Sequence, residues 1–451
     1  MRAEQEAYRI LEAALSIASA GVDEAEVGLL GGAVGVARFA ANQLHPSGEN
    51  VHERLSLRLC RGGRWAGAST SDLSTNGIGV LAQQARAELD RIPDSMVGEG
   101  LPSPQSYGEV EAYDPATADH HPLDRAALAA RAITAAHRSG LVASGEVAVG
   151  RGMLGADGVP RIYALANTRG LLAYHAASHA SYRVAFEASA HRRARAWNRS
   201  YSLAELNPIE VVEQALWRVG FGDRSAVLAP GTYTAVLEPE AVAALVRVIG
   251  RTAGADRMAR GESYLSSGLG ERLVDSRVTI VDDFAHPAHR GIPFDCDGVA
   301  RRRVELFEGG VAKQPVVGWA SSIALERAPT GHRVAVPGGV RTEAAEHLVM
   351  GGGDAGDIDA IISGTDHGIL VSGLTDVELL DGRTLRVAGS TDGGTFAIEG
   401  GELTHSVGDL RFEVSVLELL SRIDAMGSPR WAEGTVVPAL RVHGFPVYAP
   451  A

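Results

Sequence analysis

Three patterns in the sequence predict an α+β fold. Helical periodicity is concentrated before residue 260, short alternating runs between glycine turns dominate after it, and no βαβ dinucleotide signature occurs. A chain of 451 residues with 45% hydrophobic content buries several cores, and the usual domain size of ~100–200 residues predicts two to four domains.

Residues 1–20 set Tyr8, Ile10, Leu11, Ala14, Leu15 and Ile17 at helical spacing, with Gly21 as the stop. Ala25–Leu30 and Gly35–Leu44 predict two strands. Arg54–Cys60 alternates Leu55, Leu57 and Leu59 with polar residues up to a Gly62-Gly63 turn. Ser69–Asp72 offers cap side chains ahead of a helix over Gly77–Leu89. Pro93, Pro102 and Pro104 mark Ile92–Tyr113 as a linker. An Ala-rich helix is expected over Leu123–Gly140, then a β-meander over Leu141–Trp197 with turns at Ala156-Asp157-Gly158 and Thr168-Arg169-Gly170 and a long strand from Leu172. Pro208–Val219 reads as a helix, Gly220–Arg224 as a boundary and Glu238–Arg260 as one long helix. Strands are expected near Val278–Val281, Arg301–Glu308, Ala312–Gly318, Gly368–Val371, Leu385–Ala388, Thr395–Glu399 and Leu410–Val416. The breaks divide the chain into an N-terminal α/β domain (1–105), a middle α+β domain (106–222) and a C-terminal β-rich domain (223–451).

A net charge of −13 argues against a nucleic-acid or anionic-membrane surface, which requires a cationic patch. The densest basic runs, His191-Arg192-Arg193-Ala194-Arg195 and Arg301-Arg302-Arg303, read as solvated strand edges or turns. The start of the chain has no basic segment ahead of an apolar one, and no uncharged run reaches the ~18 residues that span a bilayer, so a cytoplasmic location is expected. Cys60 and Cys296 form no disulfide framework, no Cys-His or Gly-x-Ser-x-Gly signature appears, and Gly351-Gly352-Gly353-Asp354 lacks a P-loop lysine. No cofactor is indicated.

Several segments resemble the TldD/PmbA family and follow its order along nearly the whole chain. They include Arg38-Phe39-Ala40-Ala41-Asn42-Gln43-Leu44-His45, Ala166-Asn167-Thr168-Arg169-Gly170, Gly261-Glu262-Ser263-Tyr264-Leu265, Phe294-Asp295-x-Asp297-Gly298 and Thr330-Gly331. Most of these matches are also what turns require, so they report fold before chemistry. The resemblance implies an N-terminal α/β region, a β-rich middle region and a metallopeptidase-like C-terminal domain dominated by antiparallel sheet.

Peptidase-type members of the family carry His-Glu-x-x-x-His and a distant cysteine that hold zinc, with the glutamate as general base. Counting back from Gly261-x-Ser263 puts Val246 at the first histidine, Arg247 at the glutamate and Arg251 at the second histidine, while Gly250 and Asp256 fit the pattern. A hydrocarbon and two guanidinium groups offer zinc no ligand and the reaction no base. The region of the distant cysteine, Met426–Val437, contains none. The alignment therefore implies no metal and no catalytic residue, with Val246, Arg247 and Arg251 as candidate substrate-binding positions.

Other metal sets are weak on spacing. His175 and His179 fall on an expected strand, where four residues span ~13 Å; Asp282, Asp283, His286, His289, Asp295 and Asp297 fall in a turn-rich loop. The resemblance implies a metal-free, PmbA (TldE)-like subunit that pairs with a TldD-like zinc-bearing subunit as a heterodimeric peptidase of small or unstructured peptides, helping to enclose the chamber and bind extended peptide. The alternatives are a metal-independent enzyme on the same fold in a specialised biosynthetic pathway and a stand-alone binding or scaffold protein.

Overall fold

The computed structural model describes residues 2–46, 48–93, 98–152, 162–189, 192–221, 228–336 and 340–448. The expected Ala156-Asp157-Gly158 turn, His191, residues 94–97 of the expected linker and residues 222–224 of the expected boundary lie outside them.

The strand Glu24–Ala40 is the spine of the N-terminal half. Two strands were expected here, but one strand of 17 residues runs through the glycines between them. At Gly31, with φ +119°, an added Cβ would lie 1.6 Å from the His52 carbonyl oxygen, so the ladder continues only without a side chain. On one edge the spine pairs antiparallel with Gly48–Arg61; on the other it pairs with Val142–Gly152 and Ile162–Asn167. The main order of this nine-stranded sheet is Arg64–Thr70, Gly48–Arg61, Glu24–Ala40, Val142–Gly152, Ser178–Ser189 and Arg192–Ser200. It crosses the expected 105/106 division, since strands of the 1–105 and 106–222 regions hydrogen-bond to one another. The long strand expected from Leu172 is three: Leu172–Tyr174, Ser178–Ser189 and Arg192–Ser200.

Helices cover this sheet where their apolar faces meet it. Glu4–Ala18 and Thr75–Leu89 bury Leu11, Ile78 and Leu81 with Val27, Leu57 and Tyr163. Pro122–Ser139 and Pro208–Gly220 bury Ala129, Ala132, Val211 and Ala215 with Phe39, Val147 and Val184. The cap of the second helix is Ser74 rather than a residue of 69–72. Its Oγ accepts from the Gly77 N–H, while Asp72 accepts from the Ser74 N–H.

In the C-terminal half the segment expected as one helix is two, Pro239–Thr252 and Ala255–Ala259. The break falls at Gly254, where a Cβ would lie 2.8 Å from the Glu343 carbonyl oxygen. Every residue of Pro239–Thr252 except Glu240, Arg247 and Arg251 is buried. It lies between a seven-stranded sheet, which includes Gly231–Leu237, His367–Asp381, Arg386–Glu399 and Leu440–Val447, and a six-stranded sheet, which includes Ile280–Asp282, Leu348–Met350 and Thr435–Val437. Both are antiparallel except where Gly231–Leu237 meets His367–Asp381 and Leu348–Met350 meets Thr435–Val437. Arg386–Glu399 unites two strands that were expected apart, Val311–Ala312 is all that forms of the strand expected at 312–318, and the strand Arg411–Ser415 turns into the short helix Val416–Leu420. No helix among the described residues is long and apolar enough to cross a membrane.

The halves are joined by the segment expected as a linker. Residues 98–113 have no helix or strand, yet Leu101 and Ala112 are buried. The Tyr107 hydroxyl donates to the Gly298 carbonyl at 2.7 Å, and Gln105 Oε1 accepts from the Ala300 N–H at 2.9 Å. Beside this seam Arg341 binds Glu26 of the spine and Asp297 of the C-terminal half, all three nearly enclosed. Burial works against the Arg341 charge, and Glu26 and Asp297 outweigh it, holding the guanidinium above its ordinary range. Phe294-Asp295-x-Asp297-Gly298 is thus a seam element: Asp295 Oδ1 accepts from the Asp297 and Val299 N–H groups and Oδ2 from that of Arg333. Replacing Arg341 by Met should leave two buried carboxylates without their shared counter-ion and lower stability by about 3–5 kcal/mol, read as a shift of the urea unfolding midpoint.

Candidate functional site

Glu240, Arg247 and Arg251 lie seven and eleven positions apart on Pro239–Thr252, which returns them to one face of the helix. Val246 turns the other way and is fully enclosed in the core, so of the three candidate positions only Arg247 and Arg251 reach a surface. Gly250 is needed for packing, because a Cβ there would lie 2.4 Å from the Ala345 carbonyl oxygen. Across the polar stripe runs the hairpin formed by Arg430–Ala432 and Thr435–Val437. Its two-residue turn puts Glu433 at φ +48° and Gly434 at φ +80°. A left-handed conformation costs a glutamate roughly 1–2 kcal/mol, and here it aims both the carbonyl and the carboxylate of Glu433 at the helix. Arg247 Nη1 donates to the Glu433 carbonyl at 2.7 Å and approaches its carboxylate at 3.5 Å, while Arg430 reaches Glu240 at 3.1 Å.

The two segments to which the resemblance assigns zinc, 246–251 and 426–437, therefore meet in space, and ion pairs join them. Their donor set does not fit the metal. It comprises a buried hydrocarbon, two permanent cations and no thiolate. Among the described residues no group of three or more His, Cys, Asp or Glu side chains converges to hold a metal.

Beside this junction the nine-stranded sheet ends at Arg192–Ser200, whose outer edge forms one wall of a cleft. Trp197 of that strand and Trp431 of the hairpin meet edge to face, with centroids 5.8 Å apart, and divide the cleft in two. One part, about 30 Å³, is lined by polar groups that include Arg195, Arg218, Glu240, Ser372, Asp392 and Glu433. The other, about 200 Å³, lies among Arg199, Tyr201, Pro287, Ala288, Arg290 and Trp431. Arg195 pairs with Asp392 across the cleft, and the buried Arg218 pairs with Glu238, the cap residue of Pro239–Thr252. Burial pushes the Glu238 carboxyl up and Arg218 pulls it down. Sequence reasoning did not single out Trp197, Trp431 or Ser372; the available signal was that Trp431 lies inside the 426–437 segment.

The remaining candidates are structural. Asp282 is enclosed and accepts from the Glu346 and His347 N–H groups, with His332 Nε2 at 3.0 Å. Burial raises its pKa, but His332, His347 and Arg301 hold the carboxyl below its ordinary range. His289 Nε2 meets the Leu348 carbonyl at 2.9 Å. Cys60 and Cys296 are buried, and burial pushes the Cys296 thiol up. Arg192, Arg193 and Arg195 lie on the edge strand, whereas Arg301, expected in a solvated turn, is buried and pairs with Glu346 at 2.8 Å. His175 falls after Leu172–Tyr174 and His179 in Ser178–Ser189; both are buried, and among the described residues His175 Nε2 and His179 Nδ1 have no hydrogen-bond partner. Burial lowers them from 6.5 to about 4 and about 3, so the folded chain keeps both neutral. Their folded pKa values are depressed, so stability is full above pH 6.5 and falls with acid as the unfolded chain takes up protons. Each should cost about 2 kcal/mol between pH 6.5 and 5, and His179→Leu should remove its share of that slope in urea midpoints measured against pH.

Residues 230–448 match the family model described as the PmbA/TldA metallopeptidase C-terminal domain. A metalloprotease of Methanothermobacter thermautotrophicus is 25% identical over 199 residues, 44% of this chain and 43% of that protein. A metalloprotease of Methanocaldococcus jannaschii is 23% identical over 198 residues, with the same coverage of each. The matched stretch thus spans less than half the length of these relatives. In fold the chain is similar to TldE from Thermococcus kodakarensis, with a TM-score of 0.84 and 17% identity over 99% of this chain and 100% of that one. Residues 230–448 thus match the C-terminal domain of the PmbA/TldA metallopeptidases, and the chain as a whole shares the architecture of TldE.

Proposed function

We propose that this chain is a metal-free, non-catalytic subunit of a TldD/TldE-type heteromeric zinc peptidase that processes small or unstructured peptides, and that it helps to enclose the chamber and hold peptide. The observation that carries the reading is the junction of Pro239–Thr252 with the Arg430–Val437 hairpin. Arg247 and Glu433 form an ion pair there, and Val246 belongs to the core. A guanidinium neither binds zinc nor takes a proton at ordinary pH, so hydrolysis falls to the partner. What supports a peptide-holding role is the edge strand Arg192–Ser200 beside that junction, since an edge offers unpaired backbone groups to an extended chain.

The test is co-expression with a TldD-like zinc-bearing protein of the same genome. Size-exclusion chromatography should give a stable complex, with zinc only in the partner and peptide cleavage only by the complex. Stoichiometric zinc in this chain alone, or cleavage by it alone, would overturn the reading. Within the complex, Arg247→Ala should weaken peptide binding several-fold, leave zinc content unchanged and cost at most ~1 kcal/mol of stability, because the pair is partly exposed.

A further inference from the structure

Among the described residues, two buried donors in the polar part of the cleft have no hydrogen-bond partner, Ser372 Oγ and Arg218 Nε. Ser372 is 3% exposed and Arg218 5%. The remaining reach of Arg218 is occupied: Nη2 binds Glu238, and Nη1 donates to the Arg195 carbonyl at 2.7 Å. Ser372 stands opposite a bulge in Arg386–Glu399: Val371 pairs with Thr395 and Gly373 with Asp392, so Gly393 and Gly394 together face it. Neither glycine carries a side chain, and Ser372 lines the cleft beside Gly393. A buried donor without a partner costs about 1–3 kcal/mol, so the place is made for an acceptor.

The acceptor is small and uncharged. The space of about 30 Å³ has room for one oxygen-sized group. The charges around it are already matched, Asp392 by Arg195, Glu240 by Arg430, Glu433 by Arg247 and Arg218 by Glu238, so the space favours a neutral acceptor, and a carbonyl oxygen is the matching group. Beyond the Trp197–Trp431 pair, the space of about 200 Å³ has the indole of Trp431 and the ring of Tyr201 on its walls, with Arg199 and Arg290 beside them. Arg290 is already matched by Glu205 at 3.0 Å, so the pocket favours a flat apolar group over a second carboxylate. Both spaces border the same edge strand, the first at 195–197 and the second at 198–200, roughly 10 Å apart along an extended chain.

We propose that this trough grips an extended peptide at two points: a backbone carbonyl receives hydrogen bonds from Ser372 Oγ and Arg218 Nε, and an aromatic side chain a few residues away enters the pocket beside Trp431. The proposal rests on the reading of the chain as a peptide-holding subunit and adds the class of peptide, one with an aromatic residue and no need of a free terminus.

The test titrates the purified chain with blocked heptapeptides, acetyl-Ala3-X-Ala3-amide, where X is Ala, Leu or Phe, by calorimetry. The Phe peptide should bind about tenfold tighter than the Ala peptide, and Trp431→Ala should bring the two within about twofold of each other. Trp431→Leu, which keeps apolar bulk, covers the case in which Trp431→Ala fails to fold and should reduce the same preference. Ser372→Ala should weaken every peptide by about three- to tenfold, whatever X is. The melting temperature of its free chain should stay level or rise, since an unpartnered hydroxyl is removed; a purely structural serine would lower it. Absence of saturable binding by any peptide, a Phe preference that survives both Trp431 variants, or no loss with Ser372→Ala overturns the proposal. Failure to assemble with a zinc-bearing partner strikes the proposed function and leaves these titrations standing, whereas failed titrations with an intact complex strike the trough alone.

Discussion

One nearly enclosed cation sets the relation between the two halves of this protein. Arg341 is claimed at once by Glu26, from the spine of the N-terminal sheet, and by Asp297, from the C-terminal half. Both carboxylates are buried, and Arg58 approaches Glu26 and Arg333 approaches Asp297 at 3.4 Å as further counter-ions. Moving the halves apart would strand charges in a poorly solvated seam, a cost of several kcal/mol. The assembled network adds little over good apolar packing, so its physical effect is on geometry. With Arg195–Asp392 and Arg218–Glu238 on the cleft side, the edge strand Arg192–Ser200 is held at a set distance from the C-terminal sheets.

The cleft inherits its chemistry from that constraint. Side-chain ion pairs tie the central helix to the C-terminal hairpin. Here Arg247–Glu433 and Arg430–Glu240 make the connection. Partly exposed ion pairs are each worth ~1 kcal/mol or less. The junction therefore leans on the core packing of Val246 and the close approach at Gly250. Among the described residues, Ser372, opposite the Gly393-Gly394 bulge, and the fork of Arg218 each leave one donor over beside it.

How far the molecule was legible depends on the range of the forces involved. Local signals were read well. Gly140, with φ +65°, ends the helix predicted before it, and Gly62 and Gly63 turn the hairpin expected of them. Readings that needed a neighbour went astray. Gly31 looked like a strand break because its reason, the His52 carbonyl, comes from another strand. Residues 98–113 looked like a linker because prolines signal irregular backbone and say nothing of what that backbone packs against. Arg301 looked solvated because its burial is decided by Glu346 and the loop around Asp282.

The sequence by itself determined the class of fold, the order of family motifs and the chemistry unavailable at 246–251, since side-chain type alone excludes a hydrocarbon and two guanidinium groups as ligands or bases. Only the tertiary structure decided that Val246 is core while Arg247 meets Glu433, and that Trp197, Trp431, Ser372 and Arg218 border one cleft. The physical reason is separation along the chain. Glu433 lies 186 residues from Arg247, and no local pattern encodes a contact that two sheets and a buried helix must first bring together.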